Sequence, residues 1–152
     1  GEEELAGPEE ALRAAERRAA AREGLEEAAH RRDVEALRVA IEEASAAGLP
    51  MEELACADTL LREEERRVAA SQGLDDALDN RALGELVAAI EEATVAGVSS
   101  QKLAHAGAVL CEEVRKGLAR SGLVSALDNR ELSNLQAAID EAVAAGVDAE
   151  EL

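Results

Sequence analysis

The pentapeptide ALDNR occurs at residues 77–81 and again, unchanged, at 126–130, a step of 126 − 77 = 49 residues. Working outward, the same step joins Gly24-Leu25 to Gly73-Leu74 and Gly122-Leu123. It joins Ala40-Ile41 to Ala89-Ile90 and Ala138-Ile139, and Gly48 to Gly97 and Gly146. The chain of 152 residues therefore divides into three repeats, 5–53, 54–102 and 103–152, after leader residues 1–4. The last repeat takes in the start of a further helix, because Leu152 stands in phase with Leu5, Leu54 and Leu103. This phase predicts that the chain is a segment of a longer array. Aligned without a gap, the first two repeats agree at 21 of 49 positions and the second and third at 25 of 49. Shared composition alone does not give ungapped agreement at that level, so self-similarity comes before any assignment of elements.

Each repeat carries the signature of helices. In the second, Leu83, Leu86, Ala89, Ile90 and Ala93 fall at helical spacing on one face. Val34, Leu37, Ala40, Ile41 and Ala44 do the same in the first repeat, and Leu132, Leu135, Ala138, Ile139 and Ala142 in the third. This short helix meets Gly48, Gly97 or Gly146, and glycine just past a helix end takes φ > 0 without a Cβ clash. An apolar residue follows (Leu49, Val98, Val147), then a helix-start residue (Pro50, Ser99, Asp148). Leu54, Leu103 and Leu152 come four residues after it and complete a hydrophobic staple. Asp148 and Glu151 have capping-box spacing. A second helix then runs toward Gly73 or Gly122. Mid-helix glycine costs about 1 kcal/mol relative to alanine. Its recurrence at Gly24, Gly73 and Gly122 points to a break or a close crossing, and the break, with three helices per repeat, is the expectation. The alternative is one long helix reaching about Asp128 and two helices per repeat. No useful strand alternation is present, so the fold expected is all-α.

A single repeat of this size buries too little apolar surface to stand alone, so stacking must supply the core. The expected architecture is an α-solenoid of three tandem helical repeats, with a compact helical bundle as the alternative. Across its whole length the chain resembles the armadillo and HEAT families of helical repeats. That resemblance implies a scaffold for protein–protein interaction. Neither consensus is present and 49 residues exceeds both periods, so no functional residue is carried over.

Charge and composition narrow the partners. The chain holds 34 acidic against 16 basic residues, a formal net charge of −18. Nucleic-acid binding needs basic patches to neutralise phosphate, and single-strand binding also leans on aromatic stacking, yet aromatic content is 0%. Nucleic acid is therefore excluded as the expected partner, and another protein, with a basic surface, is favoured. Neighbouring repeats, or self-association through exposed array ends, are the other expected contacts. No apolar run is long enough for membrane insertion. Two cysteines without a CxxC spacing point to a reducing intracellular compartment, with the cytoplasm as the expected location.

The candidate sites follow the repeat. Glu42-Glu43, Glu91-Glu92 and Asp140-Glu141 recur in phase and are expected to form an acidic interaction column. The bland reading is a solvated helix face, and adjacent helical carboxylates point in different directions, unlike an acid/base pair. Arg32, Arg81 and Arg130 read as lying at the start of each short helix, where the helix dipole disfavours a cation. That placement predicts a specific acceptor, such as carbonyls of the preceding helix. Arg17, Arg66 and Arg115 share another phase, as do Arg18, Arg67 and Lys116; all are expected to bridge repeats or satisfy carboxylates. His105 is in phase with Cys56, but a zinc site needs three or four converging ligands. An ordinary, partly buried Cys56 and a surface histidine are the expectation, with Cys111 on an exposed face. Asp79 reads as a helix-start residue rather than a calcium ligand. No nucleophile constellation, phosphate loop or dinucleotide motif is present, so no enzyme activity, metal or cofactor is expected.

Overall fold

The computed structural model describes residues 3–129, 132–148 and 150. The elements are α1 (Glu3–Arg31), α2 (Val34–Ala46), α3 (Met51–Asn80), α4 (Leu83–Val95), α5 (Ser100–Asn129) and α6 (Leu132–Ala145). Long and short helices alternate, and no strand occurs among the described residues. The short helices start at 34, 83 and 132, steps of 83 − 34 = 49 and 132 − 83 = 49. α3 and α5 likewise start 100 − 51 = 49 residues apart. The chain falls into two compact parts, Gly1–Ala69 and Ala70–Leu152, whose boundary lies within α3.

The stops of the short helices are built as their glycines require. Gly48, Gly97 and Gly146 have φ of 73°, 73° and 78°. The Gly48 amide donates to the Ser45 carbonyl at 3.0 Å and the Leu49 amide to Ala44 at 3.1 Å. Gly97 and Val98 repeat this on Thr94 and Ala93, and Gly146 and Val147 on Val143 and Ala142. Each turn thereby satisfies carbonyls that a helix end leaves open. Leu49 and Leu54 then lie in one apolar cluster, and Val98 and Leu103 in another, as a staple demands. The third staple and the Asp148–Glu151 capping box involve Glu151 and Leu152, outside the described residues.

At Gly24, Gly73 and Gly122 the expectation of a break is wrong. Each long helix runs through its glycine, giving two helices per repeat. None of the three has positive φ, and a Cβ built on any of them meets nothing within 4 Å. The glycines therefore mark neither a turn nor a close crossing. What carries the helix through is the buried stripe on either side. Ala21, Leu25 and Ala28 straddle Gly24; Ala70, Leu74 and Ala77 straddle Gly73; Ala119, Leu123 and Ala126 straddle Gly122. Burying a leucine side chain is worth about 1.5–3 kcal/mol, more than the glycine costs.

The core of the first part joins Ala21, Leu25 and Ala28 of α1 to Leu37, Ala40 and Ala44 of α2, with Leu49 and Ala57. The second part reuses the same phases. Adding 49 gives Ala70, Leu74, Ala77, Leu86, Ala93, Val98 and Ala106, all buried, and Ala89, partly buried. Adding 98 gives Ala119, Leu123, Ala126, Ala138, Ala142 and Val147, which form a single cluster. Small alanines at these positions let helices approach closely where no aromatic ring is available to fill space.

Asp33 caps α2, its Oδ1 accepting the Ala36 amide at 2.8 Å. Its counterpart in α4 is Ala82, which offers no side-chain cap. Asp79 is no helix start: it lies in the last turn of α3.

Candidate interaction surface

Arg32 and Arg81 do not open the short helices. They follow the ends of α1 and α3, each with φ 53°, in the left-handed region. Their amides close the preceding helix, Arg32 onto the Ala28 carbonyl at 3.1 Å and Arg81 onto Ala77 at 3.0 Å. Glycine is the usual occupant of such a position, since a Cβ there is strained. A cation beside a helix C-terminus is favourable, so the conflict with the dipole disappears. The acceptor is a carboxylate, not a carbonyl. Arg32 Nη1 donates to Glu64 Oε1 at 3.1 Å, and Arg81 Nη1 to Glu113 Oε1 at 3.0 Å. These partners again lie 113 − 64 = 49 residues apart. Arg130 lies outside the described residues.

Each acid has a second base. Arg67 sits against Glu64 Oε2 as an ion pair, without hydrogen-bond geometry at that oxygen. Lys116 Nζ lies 3.7 Å from Glu113 and 2.9 Å from Glu112. That hydrogen bond is the main reason the Glu112 carboxyl is held below its ordinary pKa and Lys116 above its own. Glu64 is 2% exposed and is the only buried charged residue among those described. A buried carboxylate on an aliphatic face needs compensating cations, and the two arginines supply them. The phase shared by Arg67 and Lys116 thus serves carboxylates, as expected for conserved-phase bases in an acidic chain. Arg18, the third member, is exposed on α1, and Arg17 borders the groove described below.

Further pairs link α3 to its neighbours. Arg22 grips Glu53 with two bonds, Nε at 2.7 Å and Nη2 at 3.0 Å, and this keeps the Glu53 carboxyl below its ordinary value. Arg38 of α2 donates to Glu65 of α3 at 2.5 Å and to Glu35 at 3.0 Å. Lys102 of α5 reaches Asp75 of α3 at 2.6 Å.

The predicted acidic residues are exposed on the short helices: Glu42 and Glu43 on α2, Glu91 and Glu92 on α4, Asp140 and Glu141 on α6. Asp140 accepts a bond from Gln136 at 3.2 Å. Glu43 borders two neighbouring hollows in a groove between α1 and α2. The floor of this groove is Gly24, Ala28, Ala36 and Ala40, continued by Ala20 and Ala47. Val39, 53% exposed, stands beside it, and Glu27, Arg31 and Glu35 complete a charged rim in which Glu27 is paired to Arg31 and Glu35 to Arg38. Sequence reasoning missed the groove, although Gly24 and the small residues at helical spacing around it were visible.

Cys56 and Cys111 are both free and exposed, so the expectation of a partly buried Cys56 is corrected. His30 and His105 are exposed as well. Among the described residues no group of three or more His, Cys, Asp or Glu is placed to hold a metal ion. Among them, too, no helix is long and apolar enough to cross a membrane. Comparison with protein-family models, curated proteins and solved structures finds no match.

Proposed function

We propose that this chain is a non-catalytic helical-repeat scaffold, stacked as an α-solenoid, that holds another protein against an acidic surface. The observation that carries this reading is the α1–α2 groove, with its alanine floor and a rim on which Glu43 stands beside Glu27 and Glu35, the last two paired to Arg31 and Arg38. Small floor residues admit a side-chain ridge from a partner, and the rim selects for lysine and arginine beside that ridge. The long-range field of a chain with net charge −18 acts in the same direction, raising the encounter rate with basic proteins.

The test is capture of a partner by the immobilised chain at physiological salt, followed by substitution. Glu35→Lys with Glu43→Lys should abolish capture, while Glu91→Lys with Glu92→Lys should leave it intact. Capture should weaken as salt rises, because rim charges act through screened electrostatics. Equal capture by both double variants would remove the groove from the account. Complete absence of capture would leave a spacer whose length alone matters. X-ray scattering separates the solenoid from the compact-bundle alternative through the maximum dimension in solution.

A further inference from the structure

The repeats agree in core, in helix stops and in the Arg32–Glu64 and Arg81–Glu113 pairs, but at one pair of phases they reverse. At the α1–α3 contact the base lies on the earlier helix and the acid on the later, Arg22 gripping Glu53. At the α3–α5 contact the same phases hold Ser71 and Lys102, since 71 − 22 = 49 and 102 − 53 = 49. There the base lies on the later helix. Lys102 Nζ donates to Ser71 Oγ at 2.6 Å, to the Ser71 carbonyl at 2.9 Å and to Asp75 Oδ2 at 2.6 Å. Lys102 is drawn into the contact, its side chain 25% exposed. α1 carries Glu26 at the phase of Asp75, because 75 − 26 = 49, so an acid at that phase is common to both contacts. The difference therefore rests on Arg22 against Ser71 and on Glu53 against Lys102.

We propose that this reversal is a key that fixes which long helix packs on which. The face of α3 bearing Ser71 and Asp75 has an acceptor at the phase where α1 has the cation Arg22, so it receives a helix with a lysine at the phase of Lys102. It rejects one with a glutamate there. The α3 helix of a second copy presents Glu53 at that phase, so the middle hairpin, α3 with α4, is barred from stacking on its own duplicate. Such exclusion matters most in a repeat chain. Its apolar faces recur every 49 residues, so hydrophobic packing alone does not tell one neighbour from another, and exchange of hairpins between copies is the characteristic failure. Like charges set opposite each other supply the discrimination that shape does not.

The experiment uses the full chain and three variants: Ser71→Arg, Lys102→Glu and the two combined. The double variant gives the α3–α5 contact the charges of the α1–α3 contact. Each is unfolded in urea, and each is refolded from concentrated solution, with mass read by light scattering beside the unaltered chain. Either single change should raise the unfolding constant about tenfold, equivalent to about 1.4 kcal/mol. The double variant should recover most of that loss. With both contacts alike in charge, it should also refold with a larger share of exchanged dimers than the unaltered chain. If Lys102→Glu alone fails to fold, its rescue by Ser71→Arg is the expected result. Additive losses in the double variant, or absence of rescue, overturn the proposal. So does full recovery without extra dimer, because the pair would then stabilise a contact without selecting it.

Discussion

Gly73→Ala separates a continuous α3 from a broken one by the sign of its effect. Gly73 is exposed, sits inside α3 and lacks positive φ, and an added Cβ meets nothing within 4 Å. Alanine therefore loses nothing in contacts and gains the helix-interior advantage of about 0.5–1 kcal/mol. Gly24 and Gly122 are equivalent, each with the same open space. With no shared neighbours at the added methyls, the gains should add, to about 1.5–3 kcal/mol for the triple variant. In a domain of this size about 2–4 °C of melting temperature accompanies each kcal/mol, so the triple variant should gain about 3–12 °C. Far-UV circular dichroism is the assay, since a chain without aromatic residues has no intrinsic fluorescence to follow. Gly97→Ala is the control of opposite sign. Its φ of 73° strains a Cβ, and it should cost about 1–2 kcal/mol. If Gly73→Ala destabilised the chain as Gly97→Ala does, α3 would be broken at Gly73 and the two-helix repeat would be wrong.

Other outcomes follow from the ion pairs. Arg81→Ala loses the bond to Glu113 but keeps a Cβ at φ 53°, whereas Arg81→Gly loses the bond and the strain together, so the glycine variant should be about 1 kcal/mol more stable in urea unfolding. Glu64→Ala removes a buried carboxylate bonded to charged groups and should cost about 1–3 kcal/mol, reduced by the ease with which Arg32 rehydrates. Glu113→Ala should cost less, because that side chain is 12% exposed against 2% for Glu64. The stability difference between the unaltered chain and Glu53→Gln should be present at neutral pH. Because Arg22 depresses the Glu53 pKa, the folded state binds that proton less readily than the unfolded one, so the difference is lost as pH falls from the ordinary glutamate range through the depressed value. A difference that instead grew on acidification would remove Arg22 as the cause.

The parts of the fold that were legible rest on local chemistry. A glycine after an apolar helix, followed by an apolar residue and a cap, has few other uses, and Gly48, Gly97 and Gly146 all form the turn it implies. The period carried the rest, because the buried phases of the first repeat recur, with only Ala89 and Leu135 falling to partly buried. The break at Gly24, Gly73 and Gly122 was misread because helix propensity was weighed without the packing beside it. Ala70, Leu74 and Ala77 form one unbroken helical stripe across Gly73, and that stripe was available in the sequence. The left-handed arginines were not legible, since nothing local marks Arg32 for φ 53°. Its partner Glu64 is 32 residues away. The only hint was that acids recur in phase at Glu64 and Glu113. The groove was missed for a different reason: it depends on how α1 and α2 sit side by side, which periodicity does not give.

The two-residue connections between long and short helices have a consequence for proteolysis. Trypsin must draw several residues around a lysine or arginine into an extended strand. Among the described residues, every such residue but Arg32 and Arg81 is locked in a helix. Those two sit where a helix-closing amide bond precedes them and another helix begins within two residues, leaving no slack to extend. For the described region, then, a chain rich in cleavable residues should be digested only as fast as its hairpins open, and Arg32 in the α1–α2 connection and Arg81 in the α3–α4 connection become clocks for that opening.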